Sequence, residues 1–443
     1  MDIIKPSTIA GIMELLPDEQ KVLDEMKATI EETFKDYGFS SIDTPVIEKN
    51  EILFAKGGGE TEKQIFEIAS DSKDMSLRFD LTVPLARYVS EHFSELNFPF
   101  KRYQIGKVYR GERNQKGRYK EFYQADVDII GHNNLSIYND ALLAFVMYEA
   151  FRRIDFPNIT FHINNRKLLN GFFKSLEIED TTEVLRTIDK KDKIGLEKTT
   201  DILNDIIGKE KSNKIIEFIG SNLSNKETIE KLSDLSDNDI YKEGLEELKT
   251  VYEYMVKFGV DDSNIKIDLS ITRGLDYYTS TVYETFIDGY ESIGSVCSGG
   301  RYENLASNFT KQNLPGVGMS IGLTRLFYQL KELGLIKDKK KNKVNILILP
   351  MDSKYNFYAI DVLKRLKEEG KQADIYLEKG KFKKKINYAD KINTNYVIII
   401  GEDEVSKNEV SIKNMETGEQ FNKSIDNLDF GNWFPSWFLL YCM

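Results

Sequence analysis

Apolar positions recur at helical spacing near the start of the chain. Val22, Leu23, Met26, Ile30, Phe34 and Tyr37 fall on one face, between Pro17 as a start signal and Gly38 as a stop. This spacing predicts a helix over 18–37. A short strand is expected over Ser41 to Val46. Pro45 interrupts it and cannot donate to a ladder, which confines the strand to an edge or an interface. Strand-like segments then alternate with loops to residue 131, and 137–153 reads as another helix. From about 172 to 258 the texture changes to dense Lys, Glu and Asp, with apolar residues at three- and four-residue steps such as Leu203, Ile206 and Ile207. That pattern predicts surface helices forming a separate small helical unit. Strand patterns return at 265–297, and a helix is expected from about 316 to 333.

Lys337 to Lys343 reads as a linker. Beyond it come an apolar run at Val344 to Leu349, a helix at 354–369, a strand at Ala373 to Tyr376, a basic helix at 380–392 and a second apolar run at Tyr396 to Ile400. Strand, helix, strand, helix, strand predicts a small α/β domain with parallel pairing.

Composition narrows the picture. The 443 residues are 41% hydrophobic, enough for two to four packed domains rather than a disordered chain. Cys297 and Cys442 cannot build a disulfide framework, and Cys297 reads as a buried small hydrophobe. Three histidines without a cluster make a zinc catalyst improbable. No signal peptide opens the chain and no stretch of about 18 apolar residues exists, so a cytoplasmic location without a membrane partner is expected. The net charge of −11 does not exclude nucleic acid, because binding depends on local patches. Two such patches, at 337–343 and 379–385, each hold five lysines in seven residues, although either could simply be a solvated face.

The densest candidate chemistry lies between Phe100 and Gly131. Over Phe122 to Ile130, Tyr123, Ala125, Val127 and Ile129 face one way, and Gln124, Asp126 and Asp128 face the other. Such a polar face often meets only water. Here, however, the preceding strand ends in Tyr109-Arg110-Gly111-Glu112-Arg113, followed by a loop containing Gln115 and Arg118. Clustered arginines suit bidentate phosphate recognition, and acids beside them suit a zwitterion next to a nucleotide. A second string is Arg273-Gly274-Leu275-Asp276-Tyr277-Tyr278, whose adjacent tyrosines point to opposite faces. A third is Ser298-Gly299-Gly300-Arg301-Tyr302 followed by Gly316 to Arg325. On the expected helix, Gly318, Gly322 and Arg325 share one face, which implies either close approach of a ligand or tight helix–sheet packing.

Together these strings resemble the class II aminoacyl-tRNA synthetases. The helix 18–37 with the Pro45 strand is similar to motif 1, residues 101–131 to motif 2 and 316–327 to motif 3. Leu77 to Pro84, Arg273 to Tyr278 and Ser298 to Tyr302 resemble the histidyl-tRNA synthetase family specifically. The resemblance implies an α+β multidomain chain. An antiparallel-sheet catalytic core would occupy 1–171 and 259–336, with a helical insertion at 172–258. A linker at 337–343 would lead to a C-terminal α/β anticodon-binding domain at 344–425.

It also implies roles. Asp80, Thr82 and Gln124 would hold the α-amino group of L-histidine, while Asp128 and Tyr278, with Tyr277 beside them, would read the imidazole. Arg110 would bind the α-phosphate of ATP, Glu112 the adenine side and Arg325 the γ-phosphate. Arg273 would stabilise charge near the α-phosphate. Mg2+ would accompany ATP through ligands that the sequence leaves unknown. Gln115 and Arg118 would meet the acceptor end of tRNA(His), and the protein would be a homodimer. A regulatory, non-catalytic paralogue of the kind found with ATP phosphoribosyltransferase is the alternative, but that subunit lacks an anticodon domain. Residues 426–443 depart from the pattern: Phe430 to Met443 is strongly apolar and holds both tryptophans, where a polar last turn is implied. A reading-frame artefact (preferred), an extra packed segment and a partner site all fit. If exposed, it is an aggregation liability.

Overall fold

The computed structural model describes residues 3–55, 62–69, 74–111, 117–154, 157–220, 223–272, 278–303, 305–336 and 345–427. Two compact units emerge, one comprising Met1–Glu14 with Leu23–Ile336 and the other Leu15–Val22 with Lys337–Met443.

The first unit is organised by an eight-stranded sheet. Its strands are β1 (Ser40–Ser41), β2 (Phe100–Tyr109), β3 (Glu121–Ile130), β4 (Ile159–Asn165), β5 (Ile265–Ile267), β6 (Tyr278–Ile287), β7 (Cys297–Tyr302) and β8 (Gly316–Ile321). Across the sheet they run β1-β2-β3-β8-β7-β6-β4-β5. The outermost pairs, β1 with β2 and β4 with β5, are parallel. All the inner pairs are antiparallel. Helix α1 (Pro17–Asp36) buries Leu23, Met26, Ile30, Thr33 and Phe34, and the Phe34 ring meets Tyr103 of β2 at 5.7 Å.

Several expectations change here. Of the strand expected at Ser41 to Val46, only Ser41 is in a strand; the chain is irregular from there to Val46. Ser40–Ser41 joins the sheet edge, whereas Ile47–Lys49 pairs with Met75–Leu77 in a two-stranded ribbon, and Pro45 lies between them. The buried guanidinium of Arg78 holds this crossing by donating to the Thr44 carbonyl and, at 2.7 Å, to the Lys107 carbonyl. The helix expected at 316–333 is divided: Gly316–Ile321 is a strand, and only Leu323–Glu332 is helical. The reason is pairing, since Gly316–Ile321 lies between β3 and β7 with a ladder on each side. A Cβ on Gly318 would collide with the Asp128 carboxylate across the ladder. Gly318 therefore lets two strands approach rather than exposing a helix face.

Helices cover the rest of this unit. They include α2 (Thr82–Glu91), α3 (Tyr138–Arg153), α4 (Arg166–Ser175), α5 (Asp239–Phe258) and α6 (Leu323–Glu332). Among the described residues, further helices run between α4 and α5, the first Thr182–Asp189 and the last Asn225–Ser233. Arg301 of β7 is structural. Its guanidinium meets the Asp140 carboxylate of α3 at 2.6 Å and donates to the Leu135 and Ser136 carbonyls.

The second unit holds a five-stranded sheet of β9 (Ile346–Pro350), β10 (Ala373–Ile375), β11 (Tyr396–Ile400), β12 (Glu409–Asn414) and β13 (Gln420–Ser424), in the order β10-β9-β11-β12-β13. The first three pair in parallel, linked by α7 (Asn356–Glu368) and α8 (Phe382–Lys391). The antiparallel strands β12 and β13 extend the expected pattern. Strand β9 is buried on both faces: Ile346 and Ile348 pack in one apolar cluster, Leu347 and Leu349 in another. Such a continuous apolar run is what a central strand covered on both faces requires. The linker at 337–343 and the segment 430–443 lie outside the described residues.

Candidate active site

Residues paired across a β-ladder share a face of the sheet. One row of partners runs Gln104, Asp126, Ser320, Ser298 and Glu284; the next runs Arg102, Asp128, Gly318, Gly300 and Val282. The polar face of β3 is therefore not a solvated face. Its inner residues are buried, and the row ends in a cavity of about 410 Å³ lined by Asp80, Thr82, Arg110, Arg118, Gln124, Asp126, Tyr278, Ser298, Ser320 and Arg325. A narrow recess shares Thr82, Asp126, Tyr278 and Ser320 with it and adds Asp128 and Tyr302.

One end of this space is acidic. Asp80, Asp126 and Asp128 are all nearly fully buried, facing one fully buried arginine, Arg102. Arg102 Nη2 lies 2.5 Å from Asp128 Oδ2, and the Tyr302 hydroxyl donates to Asp128 Oδ1 at 3.0 Å. Burial raises the Asp128 carboxyl above its ordinary range, opposed by Arg102 and Tyr302. Burial also raises Asp80, opposed by backbone donors and Arg110. Asp80 Oδ1 accepts from the Thr82 and Val83 amides at 3.2 and 2.9 Å, so the first turn of α2 holds its charge. Asp126 is pushed up to about 7, chiefly by burial, with Arg102 and Ser320 opposing. A net surplus of acid in a desolvated pocket favours a cationic guest.

The other end is basic. Arg110 donates from Nε to the Phe79 carbonyl at 3.1 Å, and its guanidinium lies 4.4 Å from the Phe79 ring and 5.1 Å from that of Phe122. Cation–π contact and a fixed Nε orient the planar group. Arg325, on the first turn of α6, donates to the Ile293 carbonyl at 2.9 Å. Both arginines, with Arg118, line the cavity.

Seven of the expected residues thus line one cavity, namely Asp80, Thr82, Arg110, Arg118, Gln124, Tyr278 and Arg325, with Asp128 in the recess. Glu112, Gln115, Arg273 and Tyr277 lie outside the described residues. Arg102 does not stand out in the sequence, and Tyr302 and Ser320 appear there only within longer strings, with no role of their own. A charged residue in β2 directly opposite an acid in β3 is the available signal for Arg102. Cys297 is buried, as expected, at the cavity edge. Among the described residues no helix is long and apolar enough to cross a membrane.

Comparison with known proteins identifies this architecture. The family model for histidyl-tRNA synthetase matches residues 11–326. The chain belongs to that family. A second model, the anticodon binding domain, matches residues 345–429. The chain is 53% identical over 428 residues to a histidine–tRNA ligase of Clostridium tetani, covering 96% of this chain and 97% of the relative. It is 54% identical over 420 residues to one of Finegoldia magna, covering 94% and 97%. Among solved structures, the histidyl-tRNA synthetase from Nostoc sp. PCC 7120 superposes with a TM-score of 0.86 at 36% identity, covering 96% of this chain and 98% of that one.

Proposed function

We propose that this chain is a histidine–tRNA ligase. It activates L-histidine with ATP and transfers the histidyl group to the 3′ end of tRNA(His). The observation that carries this reading is the polarity of one cavity: buried acids at one end and, at the other, an aromatic-braced Arg110 with Arg118 and Arg325. The acidic end suits an ammonium and an imidazole; the basic end suits phosphates.

In the first step a histidine carboxylate oxygen attacks the α-phosphorus of ATP. The bond to the bridging oxygen breaks, giving histidyl-adenylate and pyrophosphate. In the second, the terminal hydroxyl of tRNA attacks the histidyl carbonyl and AMP leaves. No protein nucleophile is needed; positioning and charge neutralisation carry the chemistry. Asp80, Thr82 and Gln124 hold the α-amino group, and Asp128 and Tyr278 read the imidazole, with Tyr277 beside them. Arg110 and Arg273 act at the α-phosphate, Arg325 at the γ-phosphate and Glu112 near the adenine. Mg2+ would accompany ATP and help to neutralise the charge of its phosphates.

Gln115 and Arg118 meet the acceptor end, the helices within 172–258 lie over the acceptor stem, and 344–425 binds the anticodon. The working protein is a cytoplasmic homodimer. A regulatory paralogue is the weaker reading, because the match to an anticodon-binding domain over residues 345–429 has no use there. ATP–pyrophosphate exchange with each amino acid in turn, without tRNA, tests the assignment. Exchange with histidine alone is expected. Exchange with another amino acid would overturn the roles of Asp128 and Tyr278, and none at all from a folded protein would favour the paralogue.

A further inference from the structure

Gln124 is held by a short relay on the cavity wall. Its Nε2 donates to Ser320 Oγ at 2.9 Å, and the Ser320 hydroxyl donates to Asp126 Oδ1 at 2.5 Å. Ser320 and Asp126 are direct partners in the β8–β3 ladder. Gln124 lies two residues along β3 on the same face, within diagonal reach of Ser320. Among the described residues Gln124 Oε1, although buried, has no hydrogen-bond partner. A buried acceptor without a donor is costly, so it calls for a ligand that supplies one.

The relay has a direction. A hydroxyl carries a single hydrogen. A carboxyl oxygen that accepts that hydrogen leaves only lone pairs on Ser320 facing Gln124. The amide must then turn its NH2 to Ser320 and its carbonyl oxygen away. We propose that Asp126 and Ser320 are positioning residues that fix the Gln124 amide with Oε1 presented to the α-amino group of the substrate. They thereby set the preference for histidine over an imidazole acid lacking that amine. This deepens the proposed function and rests on it. Without the relay, Ser320 could donate to Oε1, and the amide would turn its NH2 toward an ammonium that it repels.

The test is a comparison of two ligands in ATP–pyrophosphate exchange. L-Histidine is the substrate, and 3-(imidazol-4-yl)propionate, which lacks the α-amino group, is a competitive inhibitor. The variants are Ser320→Ala, Asp126→Ala and Ser320→Thr. Ser320→Ala and Asp126→Ala should each raise the KM for histidine about tenfold, the size of one charge-assisted hydrogen bond. The Ki of the des-amino acid should stay within about twofold in both, with kcat little changed. Ser320→Thr keeps the hydroxyl and should restore discrimination. Equal weakening of both ligands would mean a merely structural role and overturn the proposal. So would unchanged discrimination in Ser320→Ala. If the unsubstituted protein shows no histidine-dependent exchange, the proposed function falls and takes the relay with it. Exchange with unaltered discrimination removes the relay alone.

Discussion

The two sheets of this protein treat polarity in opposite ways. In the C-terminal sheet, β9 buries five residues in a row, all of them apolar or proline, and sends its two faces into separate hydrocarbon clusters. In the large sheet, one face carries Arg102, Gln104, Asp126 and Asp128 at similar depth. Burying hydrocarbon stabilises a fold without further conditions; burying charge requires partners. The first sheet is built for stability, and the second accepts an electrostatic cost where a charged ligand can offset it. Sites where local rules are broken are where function is expected.

The sharpest way to break this contrast is to truncate one residue in each sheet. Asp128→Ala leaves the Arg102 charge buried without its partner. It should cost about 3–5 kcal/mol of unfolding free energy and abolish histidine-dependent exchange. Ile348→Ala opens a cavity of hydrocarbon and should cost a comparable amount, about 2–5 kcal/mol. Its exchange activity should survive, because the cavity residues all lie in the other unit. Denaturant melts together with exchange rates separate the two outcomes. Loss of exchange in both variants would end the division of labour.

Arg110→Ala tests the basic end alone. The side chain stacks on Phe79 and Phe122 rather than filling a core. Removing it should slow exchange about 10²–10³-fold, as loss of a preorganised charge donor does, with little change in melting. A melting loss as large as that of Asp128→Ala would show that the two ends are not energetically distinct.

The same contrast explains what is legible in the sequence. Period-two alternation over Phe122 to Ile130 is readable, and so is the clustering of arginines around it. The burial of that alternating face is not, because a polar strand face meets water unless another element covers it. Arg102 escapes notice because a single arginine in a strand reads as solvent-facing until its ladder partner is known to be Asp128. The segment from Gly316 reads as a helix because Gly318, Gly322 and Arg325 fit one helical face. Ladder partners distant in sequence, on β3 and β7, decide for a strand. In the C-terminal unit the apolar runs and the two intervening helices are visible from periodicity. Strands β12 and β13 are missing from the expected pattern, although Val410 and Ile412 alternate with polar neighbours.

The lysine-rich helix sharpens the comparison on the C-terminal side. The five lysines at 379–385 read as one basic face, but Lys385 is buried and donates to the Pro350 carbonyl at 2.6 Å. Helical spacing places it with Ala389 on the inward side, and both are buried. Burial lowers its pKa, and the nearby Asp352 opposes this. Lys385→Ala should cost about 1–3 kcal/mol by leaving a carbonyl unpaired. Replacing the exposed Lys379, Lys381, Lys383 and Lys384 with alanine should leave melting unchanged. If they meet tRNA, its affinity should fall, and the salt dependence should become shallower by about 0.7 to 0.9 for each phosphate no longer neutralised. Unchanged tRNA affinity at every salt concentration would remove this helix from the RNA-facing surface.

The smallest effect expected is a pH dependence centred on Asp126. Its carboxyl is raised to about 7 by burial, with Asp128 and Asp80 adding to the rise and Arg102 and Ser320 opposing it. Because the folded pKa exceeds the unfolded one, the folded state keeps a proton that the unfolded state has released. The stability this contributes is complete below the unfolded value and is lost as pH rises through about 7. Ligand binding has the opposite sign. A cation entering the same acidic end favours the charged form through space, so histidine should bind more tightly as pH rises from about 6 to about 8, by about tenfold at most. The imidazole of free histidine titrates in the same range, so the informative quantity is the difference from Asp126→Asn. That variant keeps the volume but lacks the proton. If its KM profile for histidine parallels that of the unsubstituted protein, Asp126 does not exchange a proton on binding. A flatter profile would mean that the large sheet holds part of its buried charge in reserve until the ligand arrives, which the hydrocarbon-filled sheet cannot do.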